Sequence, residues 1–135
     1  MAQRQSTGIV IIAFLLSFAA QAGEFSLRYY NNDKYELVKI TEVQKTRVTS
    51  NCIKNGKPSC KAWSIFLGKP FKVSAQKVPL LGNPAAHYCW DVGAKNRILK
   101  ADNNEQTDYC VFDDNSMIDS WDLYYKHFPP PPPIK

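Results

Sequence analysis

NPAAHYCWDVGAKNRILKADNNEQTDYCVF, residues 83–112, predicts a short helix followed by a β-hairpin. Asn83 can cap the helix, Pro84 suits its first position, and Gly93 is typical of the residue just beyond a helix C-terminus. Strand-forming residues follow the glycine, and a polar turn at residues 101–105 divides them into two antiparallel strands. This stretch therefore predicts one unit in which the helix can be pinned to the hairpin.

The first residues show the three parts of a secretory signal peptide. Arg4 supplies a positive charge, residues 9–19 form an apolar run, and residues 20–22 are a small-x-small cleavage pattern, AQA. The apolar run has about half of the roughly 20 residues that a membrane-spanning helix needs. We expect cleavage after Ala22 and a periplasmic or secreted protein. No cysteine lies at the cleavage site, so we expect no lipid anchor.

Four cysteines indicate disulfide bonds, because an even number in an exported chain commonly forms a disulfide framework. Three pairings are possible for Cys52, Cys60, Cys89 and Cys110. The local pairing, Cys52 with Cys60 and Cys89 with Cys110, is favoured because each pair brackets a turn-rich stretch. Each bridge would contribute about 2–4 kcal/mol of stability. The sequence has no Cys-x-x-Cys motif, which argues against a zinc ribbon or a thioredoxin-like redox site.

The remaining segments before the helix predict mainly strands. Residues 25–29 and 71–76 alternate apolar and polar side chains, as half-buried strands do. Residues 35–49 are rich in Val, Ile and Thr, which favours strand, although their imperfect periodicity leaves a helix over residues 37–43 open. Residues 62–67 form an apolar run that we interpret as a buried strand.

The segments after the hairpin predict a closing helix and a tail. Ser116 and Asp119 have the spacing of a capping box, and Ile118, Trp121 and Tyr125 would share one face of the helix that follows. Five consecutive prolines after Phe128 must be extended, and we expect a stiff disordered tail there.

These segments predict an α+β fold: a small disulfide-stapled domain with antiparallel strands and hairpins and two short helices. We divide the chain into a signal peptide (1–22), a basic β-rich part (23–79), a helix–hairpin–helix domain (80–126) and a proline-rich disordered tail (127–135).

The positive charge is concentrated in the first half of the chain. Residues 23–81 hold 11 Lys and Arg against 4 Asp and Glu, whereas residues 82–135 hold 5 against 8. A basic half can face an acidic polymer, anionic lipid or nucleic acid, but a solvated face is the simpler interpretation. The candidate partner contact is the lysine loop of Lys54, Lys57 and Lys61, because a Cys52–Cys60 bridge would hold it rigid.

Reactive side chains do not converge in the sequence. His87 lies inside the predicted helix beside a structural cysteine and is more readily a packed residue than a general base. His127 lies next to the prolines and is expected to be exposed. No nucleophile elbow, zinc-protease or phosphate-loop motif is present, and the acidic turn at residues 113–115 fits no calcium-loop spacing. We predict no catalytic residue, no metal and no cofactor.

Several motifs resemble a known family. They are NPAAHYC at residues 83–89, Gly93, YCVFDD at residues 109–114 and SW at residues 120–121. This pattern resembles the small domain of bacterial envelope proteins catalogued under the provisional name of hemolysins, a family of undefined function, over about residues 80–126. The resemblance implies the bacterial envelope or secretion and a disulfide-pinned helix–hairpin, and it assigns no haemolytic role to any residue.

This sequence departs from the family pattern in two respects. Members often carry another cysteine pair around the closing segment, where Ile118 and Asp119 stand here. Many members are lipoproteins, whereas this chain lacks the lipid-attachment cysteine. Because of these departures, the main property that the resemblance implies is the location, in the bacterial envelope or outside the cell.

The function expected from the sequence is an exported, non-catalytic binding or structural module of the bacterial envelope. We expect a monomer whose partner is a protein or an acidic envelope component, and export argues against nucleic acid. The alternative is a hemolysin-like membrane-perturbing factor. The best candidate for a membrane-binding helix is residues 116–125. It carries Asp119 and Asp122, whose negative charge would be repelled by anionic lipid, so the sequence does not support membrane contact.

Overall fold

The computed structural model describes residues 23–73 and 82–135. The predicted signal peptide, residues 1–22, lies outside the described residues. So does the second half of the strand predicted over residues 71–76, and its described first half is not a strand.

The described residues form eight strands and three α-helices, with one short 3₁₀ turn. In chain order they are β1 (Glu24–Asn31), β2 (Lys34–Val43), β3 (Thr46–Thr49), the 3₁₀ turn (Ser50–Cys52), β4 (Ile53–Lys54), β5 (Lys57–Pro58), α1 (Lys61–Leu67), α2 (Pro84–Asp91), β6 (Lys95–Lys100), β7 (Gln106–Val111), β8 (Met117–Asp119) and α3 (Ser120–His127). Six strands close into an antiparallel barrel in the order β1-β2-β3-β8-β7-β6, and β4 and β5 form a separate hairpin.

The expected α+β class is wrong, because the protein is mainly β and its strands close into one barrel. A third helix, α1, also replaces the strand expected over residues 62–67. Ala62, Trp63 and Phe66 are its buried residues, and this spacing places them on one side of a helix. The sulfur of Cys60 accepts a hydrogen bond from the N–H of Trp63 at 3.3 Å and caps the first turn.

The barrel consists of two three-stranded meanders, each continuous in the chain. Strands β1–β3 form the first meander and β6–β8 the second. Within the meanders, β1 and β2 share eight register pairs and β6 and β7 share six. Between them, the β1–β6 seam has only two pairs and the β3–β8 seam has one, Val48 with Ile118. Side-chain bonds must therefore supplement the backbone where the meanders meet.

The β3–β8 seam is reinforced in this way. Thr49 Oγ1 accepts a hydrogen bond from the N–H of Met117 at 2.9 Å. The carboxylate of Asp122, in the first turn of α3, accepts from the N–H of Arg47 at 3.0 Å and from its guanidinium at 3.1 Å. Arg47 thus ties β3 to the helix that follows β8.

Two apolar clusters lie on the two faces of the barrel wall. The barrel interior is filled by Leu27, Ile40, Leu99, Tyr109 and Met117. The second cluster joins the outer face of the wall to the helices and includes Val48, Trp63, Phe66, Tyr88, Cys89, Cys110, Ile118 and Leu123. Strand alternation explains the division, because neighbouring residues of β7 and β8 point to opposite faces.

Two disulfides are present, Cys52–Cys60 and Cys89–Cys110, and they follow the local pairing. The first closes the loop that holds the β4–β5 hairpin. The second fastens α2 to the outer face of β7, where both sulfurs are buried. Helix α2 itself begins at Pro84 and is capped by the side chain of Asn83, as the sequence predicts.

The final helix begins later than the capping-box spacing predicts. Residues Met117–Asp119 form β8, which pairs with both β3 and β7. Helix α3 is capped instead by Asp119, whose Oδ1 accepts from the N–H groups of Trp121 at 2.9 Å and Asp122 at 3.0 Å. The long-range pairing of β8 overrides the local helix signal at Ser116.

We predict that the two meanders unfold as one unit, because their side chains share the barrel interior. Ile40→Ala in the first meander and Leu99→Ala in the second remove fully buried side chains, at about 2–5 kcal/mol each. Each variant should shift one common transition in urea, followed by both circular dichroism and tryptophan fluorescence. Two separate transitions, with each variant moving only its own, would refute the single unit.

Candidate functional site

One end of the barrel, which we call the mouth, opens into a pocket of about 500 Å³. Its lining includes Tyr29, Asn31, Lys95, Arg97, Asn115 and Met117. They come from the end of β1, the start of β6, the β7–β8 turn and the start of β8. A second pocket of about 380 Å³ shares Tyr29, Asn31, Asn115 and Met117 with the first. The two pockets form one elongated groove across the mouth.

The mouth is polar because the inward face of β6 changes character along the strand. Leu99 belongs to this face and is fully buried in the barrel interior. Alternation places Arg97 and Lys95 on the same face, two and four residues earlier. Both are exposed, so two cations occupy positions that would extend the apolar interior.

The polar groups of the mouth are largely free to bind a ligand. Among the described residues, Lys95 has no ion pair, and the side-chain amide of Asn31 has no hydrogen bond. Arg97 donates one bond, from Nη1 to the carbonyl of its neighbour Asn96 at 2.9 Å, and keeps its other donors. Two acids also line the mouth: Asp113 is already paired with a lysine outside it, and Glu36 lines the second pocket. The first pocket, lined by Lys95 and Arg97, therefore offers positive charge and hydrogen-bonding amides to an acidic ligand.

Only two of the three lysines in the predicted lysine loop are without an ion pair among the described residues. Lys54 and Lys57 are exposed and lie directly opposite each other on the β4–β5 hairpin. Lys61 is engaged elsewhere: its Nζ lies 2.9 Å from a carboxylate oxygen of Asp113, and its N–H donates to Asp114 at 2.8 Å. Two of the three lysines therefore remain available.

The β4–β5 hairpin lies at the mouth end of the barrel. The chain leaves β3 there, and Ser50 and Asn51 line the second pocket. Asn55 and Gly56 both have positive φ, 52° and 74°, which is the geometry of a tight hairpin turn. A contact between this hairpin and a partner stays a prediction.

His127 is buried, so its expected exposure is wrong. Its Nε2 lies 3.2 Å from the carbonyl of Phe66 and must carry the proton, and its Nδ1 then accepts from the hydroxyl of Tyr88. That hydroxyl also accepts from the N–H of Phe71 at 3.0 Å. Burial raises the pKa of Tyr88, so the phenol keeps the proton that it donates. Both ring nitrogens of His127 are thus committed to structure.

His87, the other histidine, lies on the partly exposed side of α2. Its ring makes an edge contact with Trp90, with the ring centroids 5.0 Å apart. Neither His87 nor His127 lines the two pockets of the mouth. The mouth therefore lacks an imidazole.

Sequence reasoning did not find the ionic cluster at the opposite end of the barrel. Arg47 binds Asp122 through Nε and Nη2, both at 3.1 Å. Asp119 Oδ2 also lies 3.1 Å from Nη2, but the angle is unsuitable for a hydrogen bond, so this contact is ionic only. Burial and the nearby charge of Asp122 raise the pKa of Asp119. The available signal was one arginine inside a short strand-forming segment and two aspartates at a helix start.

The acidic turn between β7 and β8 is occupied by internal hydrogen bonds. Asp114 accepts from the N–H and hydroxyl of Ser116 and from the N–H of Lys61. Within residues 23–73 and 82–135, no three His, Cys, Asp or Glu side chains are grouped to hold a metal ion. Nor does any helix in these two ranges have the length and apolar character needed to cross a membrane.

Comparison with known proteins identifies one related segment. A family model described as "Domain of unknown function (DUF333)" matches residues 81–127, which hold α2, the second meander and α3. No curated protein and no solved structure matches the chain. The match agrees with the extent of the resemblance noted above and carries no activity, so the hemolysin name stays a prediction.

We predict that the Tyr88 hydroxyl stabilises the fold. Tyr88→Phe leaves the buried Nδ1 of His127 unpaired and removes a partly buried bond to the N–H of Phe71, at a cost of about 1–3 kcal/mol. Tyr29→Phe is the matched control, because the hydroxyl of Tyr29 has no partner among the described residues, and it should stay within about 0.5 kcal/mol. Urea unfolding at neutral pH measures both. Equal effects of the two changes would contradict the structural role.

A second prediction concerns acid stability. Partial burial opposes ionisation of Asp114, but hydrogen bonds from Ser116 and Lys61 outweigh it and lower the pKa of this carboxyl. A lowered pKa in the folded state stabilises the protein above the unfolded value, about 3.9, and this contribution is lost as the pH falls further. Asp114→Asn should be less stable than wild type at pH 7, and the difference should shrink near pH 3. Asp102→Asn, at an exposed turn, is the control, and a difference for Asp114→Asn that is independent of pH would contradict the argument.

Proposed function

We propose that this protein is an exported, non-catalytic binding module of the bacterial envelope that holds an acidic partner at the barrel mouth. The observation that carries the proposal is the position of Lys95 and Arg97. Both point to the mouth from the inward face of β6, and neither has an ion-pair partner among the described residues. These cations form no ion pair within the described residues, and an acidic ligand would neutralise them.

The use of the reactive groups supports a non-catalytic role. Both nitrogens of His127 hold Tyr88 and Phe66 in place, and all four cysteines are oxidised. Asp119 and Asp122 are engaged with Arg47 and with the start of α3. Within the described residues, neither histidine is hydrogen-bonded to a serine, a threonine or a free cysteine, the pairing that nucleophilic catalysis commonly uses.

The compartment follows from two supporting features. The disulfides are compatible with an oxidising environment, which the periplasm and the extracellular space provide. The N-terminal pattern of residues 1–22 is typical of a signal peptide. A module that works there benefits from a rigid binding surface, because a preformed site loses little conformational freedom on binding.

The proposal is tested with two acidic polymers of different backbone, poly-L-glutamate and polygalacturonate, and neutral dextran as control. We expect the oxidised protein to bind at least one acidic polymer, and binding to weaken with salt because the contact is electrostatic. Lys95→Gln with Arg97→Gln should weaken it about tenfold or more, which equals about 1.4 kcal/mol. Fluorescence anisotropy of labelled polymer measures the affinity.

The matched control removes the same charge elsewhere. Lys45 and Lys72 are exposed and lie outside the mouth. Lys45→Gln with Lys72→Gln should leave the affinity within about twofold. An equal loss for both double variants would mean that net charge alone binds the polymer, and the mouth would lose its role. Dye release from phosphatidylglycerol vesicles, unchanged by the mouth variant, would instead support the membrane-perturbing alternative.

A further inference from the structure

The barrel is incompletely closed along the seam between β1 and β6. The strands pair at Arg28 with Lys100 and at Tyr29 with Leu99, and no register pair follows toward the mouth. Beyond this point β1 continues through residues 30–31 and β6 extends back through residues 95–98. The two strands therefore diverge, and the pocket of about 500 Å³ is lined from both sides of the gap.

Each strand is paired along its other edge. Lys95 pairs with Val111 on β7, and Asn31 pairs with Lys34 on β2. The edge of β6 that faces the gap therefore has backbone groups without a strand partner. Residues 95–97 span about 10 Å at 3.3 Å per residue, which is enough for a short added strand.

We propose that an extended acidic peptide segment of a partner protein binds in this gap by adding a strand to β6. Strand addition to an exposed sheet edge is a common mode of peptide recognition, in which the backbone provides affinity and alternate side chains provide specificity. The inference rests on the proposed function, because it names the chemistry of the partner at the same mouth.

The two faces of β6 define the side chains of the added strand. Lys95 and Arg97 face the mouth, so side chains on that face of the peptide are acidic. Ile98 points outward and is 49% exposed, and Tyr30, which is 53% exposed, stands outward on the other side of the gap. Side chains on the outward face of the peptide are therefore apolar, and the recognised segment alternates acidic and apolar residues.

Charge on an edge strand also has a protective use, since lysine at an exposed edge discourages pairing between molecules. One observation separates β6 from an edge that is only protected. Inward-pointing charge can also protect an edge, but the outward face of β6 keeps an exposed isoleucine, Ile98, beside the gap. An edge that binds an apolar side chain of a peptide uses this isoleucine.

The test uses three synthetic peptides with the same net charge. The first alternates Glu and Val over six residues, the second has the same composition in two blocks, and the third is the alternating peptide with N-methyl groups on alternate backbone nitrogens. We expect the alternating peptide to bind at least tenfold more tightly than the block peptide. The N-methylated peptide should bind as weakly as the block peptide, because it cannot complete the strand.

Variants of the outward face complete the test. Ile98→Ser should weaken binding of the alternating peptide about threefold or more. Leu67→Ser is the matched control, because Leu67 is 61% exposed on α1 and lines neither pocket of the mouth, and it should have no effect. In labelled protein, hydrogen exchange of at least one amide in residues 95–97 should slow when the alternating peptide is bound.

The outcomes separate this inference from the function on which it rests. Equal affinity for the alternating, block and N-methylated peptides, with a loss in the Lys95/Arg97 variant, would overturn strand addition and keep an electrostatic binding module. Binding of polygalacturonate without binding of any peptide would overturn it in favour of an acidic glycan. Failure of every acidic probe would overturn both proposals.

Discussion

The bond between Arg47 and Asp122 is the interaction on which the rest of the barrel depends. Strands β3 and β8 share a single register pair, which is too little backbone pairing to hold two meanders together. The guanidinium binds Asp122 through two parallel hydrogen bonds, and charged bonds of this geometry are among the strongest in proteins. Asp119 beside it caps α3 and would be a buried charge without its cation if Arg47 were removed. One side chain thus stabilises both the seam and the start of α3.

The second seam is closed differently, and this difference creates the mouth. At the end distant from the mouth, Arg28 crosses from β1 to the β6–β7 turn and donates to the carbonyl of Ala101 at 3.1 Å and to the side chain of Asn104 at 2.9 Å. Toward the mouth no side chain crosses from β1 to β6 among the described hydrogen bonds, and the strands part after Tyr29. The seam is thus tied at one end and open at the other, and its open end forms the cleft at the mouth.

The sequence predicts the elements that depend on neighbouring residues. The cap at Asn83 and the turn at residues 101–105 work over a few residues, so α2 and the β6–β7 hairpin could be recognised. The run at residues 62–67 has no local feature that separates a buried strand from a buried helix, and the helix was missed. Barrel closure depends on Val48 meeting Ile118, a pairing across 70 positions that leaves no periodic signal in either segment. The fold class was wrong because closure is a long-range property, whereas its parts are local.

The same limit applies to the candidate site. The sequence shows which residues are charged, but only the structure shows which of them form ion pairs within the chain. Lys61 looked equivalent to Lys54 and Lys57, but its partner Asp113 lies 52 residues away. Arg47 and Arg97 are both single arginines inside strand-forming segments, so in sequence they are alike. The structure separates them: Arg47 is matched by two carboxylates, whereas Arg97 meets only its neighbour's carbonyl. A charged side chain on an inward strand face is explained by stability when the fold supplies an oppositely charged partner. Where the fold supplies no partner, the charged side chain is a candidate for function. By that criterion we propose a role in binding for the inward cations of β6 rather than for the lysine loop.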